Sequence, residues 1–414
     1  MKLNTNKMIK ILPLITVLFW VGCEDLDFPD PNNPTDETAT TQSLITGAEA
    51  GLRIDIGVYL RNLLVVGREA YYLEPADPRY TGELMRGPID PGGFLGNRPW
   101  NANYKVIQNC LNLAVSDDDG ASGVGQTFHA YALMRVLSLT DENGAQLDYD
   151  GAKSDVESKS AVLAEIESLL DGGYSDLNSA GSAFTFGLST GFDGFDTPAT
   201  FAQFNRALRA RVAVQQSDYS TALTALGNSF LDASGSLDDG VFHVFSSSAN
   251  DQDNEMYEAS DAAVIKLTVH PSYASDAEAG DLRFSSNITT RDDTIRYDNL
   301  ESFLAPTVWG SSYDPVPVIR NEELILLQAE AYIGTGDYSS AEANMNVVRA
   351  AAGLADYSDT DATNAEDRVL YEKRFSLFFE GQRLQDMRHY GRTAELPLDR
   401  DGDAIVTFPI PEPE

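Results

Sequence analysis

Cysteine is almost absent from this chain: Cys23 and Cys110 are the only two in 414 residues. A disulfide framework is therefore excluded, and stability must come from packing, for which the length is ample. Histidine is scarce too. His129, His243, His270 and His389 stand far apart without metal-ligand spacing, so each is expected to be a lone structural residue. Basic residues are few, 29 Lys and Arg against 64 Asp and Glu, for a formal charge of −35. So acidic a surface repels phosphate backbones and anionic headgroups, which excludes nucleic acid as a partner. Long apolar runs are also missing. Ile11 to Gly22 is twelve residues, and twelve helical residues reach about 18 Å against a bilayer core of about 30 Å. No Gly-x-Ser-x-Gly elbow, phosphate-binding glycine loop or cofactor motif occurs. Carboxylates are abundant, but none is singled out as a glycosidase pair. Asp399-Arg400-Asp401-Gly402-Asp403 begins like a calcium loop, yet Ile410 stands where its closing Glu would be. A solvated turn is expected there, and a loop at Asp117-Asp118-Asp119-Gly120.

What is present begins at the N-terminus. A cationic start with Lys2, Lys7 and Lys10 leads into the short apolar stretch, which ends Trp20-Val21-Gly22-Cys23, and acidic Glu24-Asp25-Leu26-Asp27 follows. This pattern reads as a secretory signal peptide over 1–22, with a small residue before a cysteine as lipoprotein processing requires. Trp20 departs from the usual Leu three places before the cysteine. Cys23 is then the lipidated first mature residue. Losing the three lysines takes the charge from −35 to −38. Attachment to a membrane would then rest on the acyl chains, at about 0.8 kcal/mol per buried methylene. Residues 23–41 form a tether whose centre, Asp30-Pro31-Asn32-Asn33-Pro34-Thr35, resists helix and ladder.

From residue 42 the pattern turns helical. Leu44, Ala48, Leu52, Ile56, Tyr59 and Leu63 recur at three- and four-residue steps, as one buried helix face requires. Gly67 to Pro99 is rich in Gly, Pro and aromatics and reads as structured loop. Helical spacing resumes at Trp100, Tyr104, Ile107 and Leu111, then over Phe128–Leu139 and Ala161–Leu170. Asp218-Tyr219-Ser220-Thr221-Ala222 recurs faintly as Asp337-Tyr338-Ser339-Ser340-Ala341. The second copy looks like the turn of a tetratricopeptide helix pair, in which small residues such as Ala329 and Ala341 permit close approach. About 232–317 breaks the pattern with Ser, Asp, Asn and strand-like runs such as Val264–Val269. The expected fold is mainly α: tetratricopeptide-like helix pairs over 42–414 with a loop-rich inserted subdomain.

Near the C-terminus stands Arg374-Phe375-Ser376-Leu377-Phe378-Phe379-Glu380-Gly381-Gln382-Arg383-Leu384-Gln385-Asp386-Met387-Arg388, and Phe408-Pro409-Ile410-Pro411 closes the chain. With Glu323-Leu324-Ile325-Leu326-Leu327-Gln328-Ala329-Glu330-Ala331-Tyr332 upstream, this resembles the SusD/RagB family of outer-membrane nutrient-binding lipoproteins. The middle is short for the family, and the sequence ends two residues after Glu412, where relatives continue. On its own chemistry the motif reads as fold-defining. Glu380–Arg383 and Arg383–Asp386 could pair at i,i+3 on one helix, with Phe375, Phe378 and Phe379 as its buried face.

The resemblance implies a SusD-like fold and a cell-surface lipoprotein that is not an enzyme. It implies an oligosaccharide or peptide ligand, handed to a SusC-like TonB-dependent transporter barrel. A surface glycan hydrolase and a purely protein-binding scaffold are the alternatives from other classes. Sugars are held by aromatic faces with amides, Arg and carboxylates on the hydroxyls. Candidate ligand residues are therefore Arg68, Tyr71, Tyr72, Arg79 and Tyr80 in the first loop, and Trp309 and Tyr313 in Thr307–Tyr313. The tyrosines could equally fold that loop onto the body. Trp100, at helical spacing, is expected to pack.

Overall fold

The computed structural model describes residues 39–149, 155–249 and 251–412. The signal peptide, Cys23 and nearly all of the tether lie outside the described residues. From Thr41 onward the chain forms one unit, built mainly of helices. In chain order the longer ones are α1 (Thr41–Arg53), α2 (Ile56–Val66), α3 (Phe94–Ala114), α4 (Asp119–Thr140), α5 (Lys159–Ser179) and α6 (Pro198–Gln215). They continue with α7 (Tyr219–Gly227), α8 (Asn321–Thr335), α9 (Tyr338–Ala351), α10 (Ala365–Ser376) and α11 (Arg383–His389). Apart from α2, each from α1 to α9 packs on the next, and α10 returns onto α8 and α9.

The single face expected over Leu44–Leu63 is two helices. Asp55 takes a left-handed conformation, φ 56°, and breaks the run. The break distributes the apolar residues between two cores: Ile45, Ala48 and Leu52 to the helix array, Ile56, Leu60 and Leu63 to a second core shared with the strands and the C-terminal motif. The loop expected up to Pro99 also ends early, because α3 starts at Phe94 and carries Pro99 inside it. A proline there leaves the carbonyl four residues back without its helical donor. That carbonyl, of Leu95, accepts instead from Asn62 Nδ2 of α2 at 2.7 Å.

The faint repeat marks two helix starts. Asp218 accepts from Thr221 N and Asp337 from Ser340 N, each at 3.1 Å, capping α7 and α9. Ala329 and Ala341 are fully buried. The two units also touch: a Cβ on Gly334 of α8 would stand 2.1 Å from the Tyr219 ring. Asp118, in the acidic run expected as loop, caps α4 through Gly120 N and Ala121 N.

The segment between α7 and α8 carries most of the strands. The strands of three or more residues are β1 (Ala70–Tyr72), which follows α2, and, between α7 and α8, β2 (Gly240–His243), β3 (Leu267–Val269), β4 (Ile288–Tyr297), β5 (Leu300–Pro306) and β6 (Val316–Arg320). They pair antiparallel as β1–β3, β2–β6 and β4–β5. Of the run Val264–Val269, only Leu267–Val269 is strand. The β4–β5 hairpin turns on Asp298 and Asn299, both left-handed, as a two-residue loop matched to strand twist requires.

The C-terminal motif differs from the single helix expected. Helix α10 ends at Ser376, the chain turns through Phe379 (φ 67°) and Gly381 (φ 76°), and α11 begins at Arg383. The turn separates Glu380 from Arg383, and although Arg383 and Asp386 share α11, Asp386 pairs with Lys373 instead. Arg320 Nε reaches Glu380 at 2.7 Å, while Lys373 binds both Asp386 and Glu330, the latter at 2.8 Å. Arg388 Nη1 donates to Ser138 O of α4 at 2.8 Å. Phe375, Phe378 and Phe379 are buried. The motif thus ties β6, α8, α10 and α4 together, and removing one partner of such a buried pair costs about 3–5 kcal/mol.

Candidate functional site

Most of the aromatic platforms expected from the sequence are buried. Tyr71, Tyr72, Tyr80 and Trp309 are 3–8 % exposed. Tyr71 stands edge-on to His270 at 4.9 Å, and Trp309 lies against Phe379 with its centroid 6.1 Å away. Arg68 is 1 % exposed. Its guanidinium donates to the carbonyls of Val65, Pro397 and Ala404 at 2.8–2.9 Å, pinning the C-terminal segment. These residues hold the loop to the body, which corrects the expectation that Arg68, Tyr71 and Trp309 face a ligand. The reason is long-range: strand β1 pairs with β3, and the second core closes over both. The expected solvated turn at Asp399–Asp403 is also half-closed, with Asp403 accepting from Asp399 N and Arg400 N and ion-paired to Arg400 at 2.9 Å.

Tyr313 and Arg79 remain at the surface. Tyr313 is 46 % exposed. Its loop is fastened by Asn254, whose N donates to Ser312 O at 2.7 Å and Nδ2 to Asp314 O at 2.9 Å. The neighbouring Tyr257 is half-buried, and Glu255 receives Arg61 of α2. Arg61 is the hinge of the surface. Its guanidinium lies 5.0 Å over the Tyr72 ring and 6.0 Å from Tyr80.

From there an aromatic row continues outward. Tyr72 and Tyr80 are 4.4 Å apart, Tyr80 and Phe94 5.7 Å, and Arg79 covers Phe94 at 4.2 Å. Burial raises the pKa of both tyrosines, so the phenols stay neutral hydrogen-bonding groups. The structure brings Tyr72, Arg79 and Tyr80 together as one ledge whose outer members are Arg79 and the half-buried Phe94. Sequence reasoning missed Arg61, Phe94, Tyr257 and Glu255. Phe94 carried a signal, sitting after Pro91-Gly92-Gly93; Arg61 inside an apolar helix carried none.

An enclosed alternative is too small. The polar cleft between α2, α4, α6 and the Glu380–Gln385 turn has about 40 Å³ of interior, enough for about three waters at 10–15 Å³ each. A ligand much larger than a few waters does not fit inside this cleft. Among the described residues no three His, Cys, Asp or Glu side chains gather as metal ligands, and no helix is long and apolar enough to cross a membrane.

Comparison with known proteins fits this architecture. The SusD family's model matches residues 303–402, which hold the C-terminal motif. No match is found among the curated proteins. A SusD superfamily protein from Bacteroides vulgatus superposes with a TM-score of 0.65 at 15 % identity, covering 89 % of this chain and 91 % of that one. A laminarin-binding SusD-like protein gives 0.60 at 17 % identity, over 88 % and 96 %. A structure solved with a xylogluco-oligosaccharide gives 0.62 at 14 % identity, over 85 % and 83 %. The SusD family's model thus falls on the segment that carries the motif, and the chain as a whole has the SusD-like fold.

Proposed function

We propose that this protein is a lipid-anchored lipoprotein of the outer membrane, exposed at the cell surface. It binds an oligosaccharide without cleaving it and delivers it to a SusC-like TonB-dependent transporter. The observation that carries the binding reading is the outer surface joining Arg79 and Phe94 to the exposed Tyr313 loop through Arg61 and Glu255. Two structural neighbours, one laminarin-binding and one solved with a xylogluco-oligosaccharide, support a glycan as the ligand. Aromatic and guanidinium faces suit the C–H surfaces of sugar rings, and the surrounding carboxylates accept from hydroxyls. The anchor rests on the Gly22-Cys23 junction, and delivery rests on the resemblance to the SusD/RagB family.

The test is to titrate the purified mature protein with a panel of glucan and xyloglucan oligosaccharides and then analyse the products. Binding with intact ligand supports the reading. Cleavage assigns a hydrolase, and a panel without any binder overturns the oligosaccharide reading.

A further inference from the structure

We propose that the ligand is an uncharged oligosaccharide and that uronate-bearing or sulfated glycans are excluded; this rests on the oligosaccharide reading above. The ground is how the cations beside Tyr72, Tyr80 and Phe94 are already used. Arg79 binds Asp77 through two parallel bonds, Nε to Oδ1 at 2.8 Å and Nη2 to Oδ2 at 2.9 Å. Arg98, which acts electrostatically on the Tyr80 phenol, is paired with Asp55. Lys266, beside Tyr72, is paired with Glu74. Arg61 sits 3.8 Å from Glu255.

Further carboxylates border the same surface without adding a cation. Glu258 accepts from Lys266 N and Leu267 N at 2.6 and 3.2 Å. Glu83 accepts from Asp90 N at 3.0 Å. Negative groups therefore outnumber positive ones around Tyr72, Tyr80 and Phe94.

Asp77 occupies the Nε–Nη2 edge of Arg79, so a uronate at the remaining Nη1–Nη2 edge would meet a guanidinium already neutralised by one carboxylate and would stand beside that carboxylate. No net attraction is gained, and like-charge repulsion is added. The chain's overall −35 opposes approach as well, since repulsion extends about 8 Å at physiological salt. An uncharged sugar meets none of this. Its hydroxyls donate to lone pairs that the ion pairs leave unused, and its apolar faces rest on Phe94 or Tyr313.

The experiment titrates the native mature protein with neutral glucan and xyloglucan oligosaccharides, and with oligogalacturonate of matched length, at low and high salt. The expected result is binding of a neutral member with affinity unmoved by salt, and none of oligogalacturonate. Asp77→Asn keeps the acceptor for Arg79 N while freeing the guanidinium. It should raise oligogalacturonate affinity about tenfold or more, about 1.4 kcal/mol, and high salt should erase the gain. Native protein that binds oligogalacturonate as well as a neutral ligand overturns the inference and leaves the oligosaccharide reading standing. An Asp77→Asn protein still blind to oligogalacturonate overturns the pairing argument. If neither series binds, the oligosaccharide reading falls and takes this inference with it.

Discussion

Glu69 offers the sharpest physical test of how the family motif is built. It is 1 % exposed in the second core. One carboxyl oxygen accepts from Phe379 N at 3.2 Å and from the Tyr273 hydroxyl at 3.3 Å, and the other has no partner among the described residues. Burial raises its pKa from 4.5 to about 8, against the lowering by the Phe379 N–H. The folded protein therefore holds a proton that the unfolded chain releases between pH 4.5 and 8. The folded state binds more protons across that window, so stability falls as pH rises through it and levels off above. At about 1.4 kcal/mol per unit the loss is on the order of 3–5 kcal/mol. Glu69→Gln keeps the accepting oxygen and removes the titration. Its amide leaves two buried donors unpaired where the protonated acid leaves one, so near pH 5 the variant should be the less stable of the two, by about 1–3 kcal/mol. Urea unfolding of both from pH 5 to 9 reads the difference directly. Native protein should lose several kcal/mol more than Glu69→Gln over that range. Parallel stability curves would refute the reasoning, because burial of Glu69 would then not set its charge.

Phe379→Ala removes a ring 1 % exposed and should cost about 3–5 kcal/mol, a fall of about 4–6 °C in the melting temperature of a unit this size; an unchanged melting curve with lost ligand binding would move the motif from fold to function. Gly334→Ala would place a methyl 2.1 Å from the Tyr219 ring, so the ring must swing out of its contact or helices α7 and α8 must part. Urea unfolding should show a loss of about 1–3 kcal/mol, and a variant as stable as native would deny that contact. Cys23→Ala should abolish fatty-acid labelling and release the protein from the outer-membrane fraction; a labelled, membrane-bound variant would contradict the anchor.

How far the sequence could be read followed the range of the interactions. The capping aspartates Asp218 and Asp337 and the buried Ala329 and Ala341 are local signals, and they placed the helix pairs. The motif from Arg374 to Arg388 pointed to the family whose model matches that segment. The α1–α2 break was hidden because Asp55 is one left-handed residue inside an otherwise periodic run. Pro99 looked like a loop end because the donor that rescues Leu95 O is Asn62, on another helix. The ligand residues failed for the same reason. Tyr71, Tyr72 and Tyr80 lie in a Gly/Pro-rich stretch that resembles open loop, but pairing of β1 with β3, in which Tyr71 faces Thr268, 197 residues along the chain, draws them inside. Trp309 likewise meets Phe379 from far along the chain. Tyr313, three residues past Gly310, is left out of that core.

The central claim is that the outer surface, and not the buried aromatic core, holds the glycan. The most direct measurement is calorimetric titration of native protein, Tyr313→Ala and Trp309→Ala with whichever neutral oligosaccharide the native protein binds, alongside their melting curves. Tyr313→Ala should lose about tenfold in affinity, the equivalent of about 1–2 kcal/mol of ring contact, with its melting temperature unchanged. Trp309→Ala should lose stability first. Undiminished affinity in Tyr313→Ala, together with selective loss of binding in a stably folded Trp309→Ala, would contradict the account.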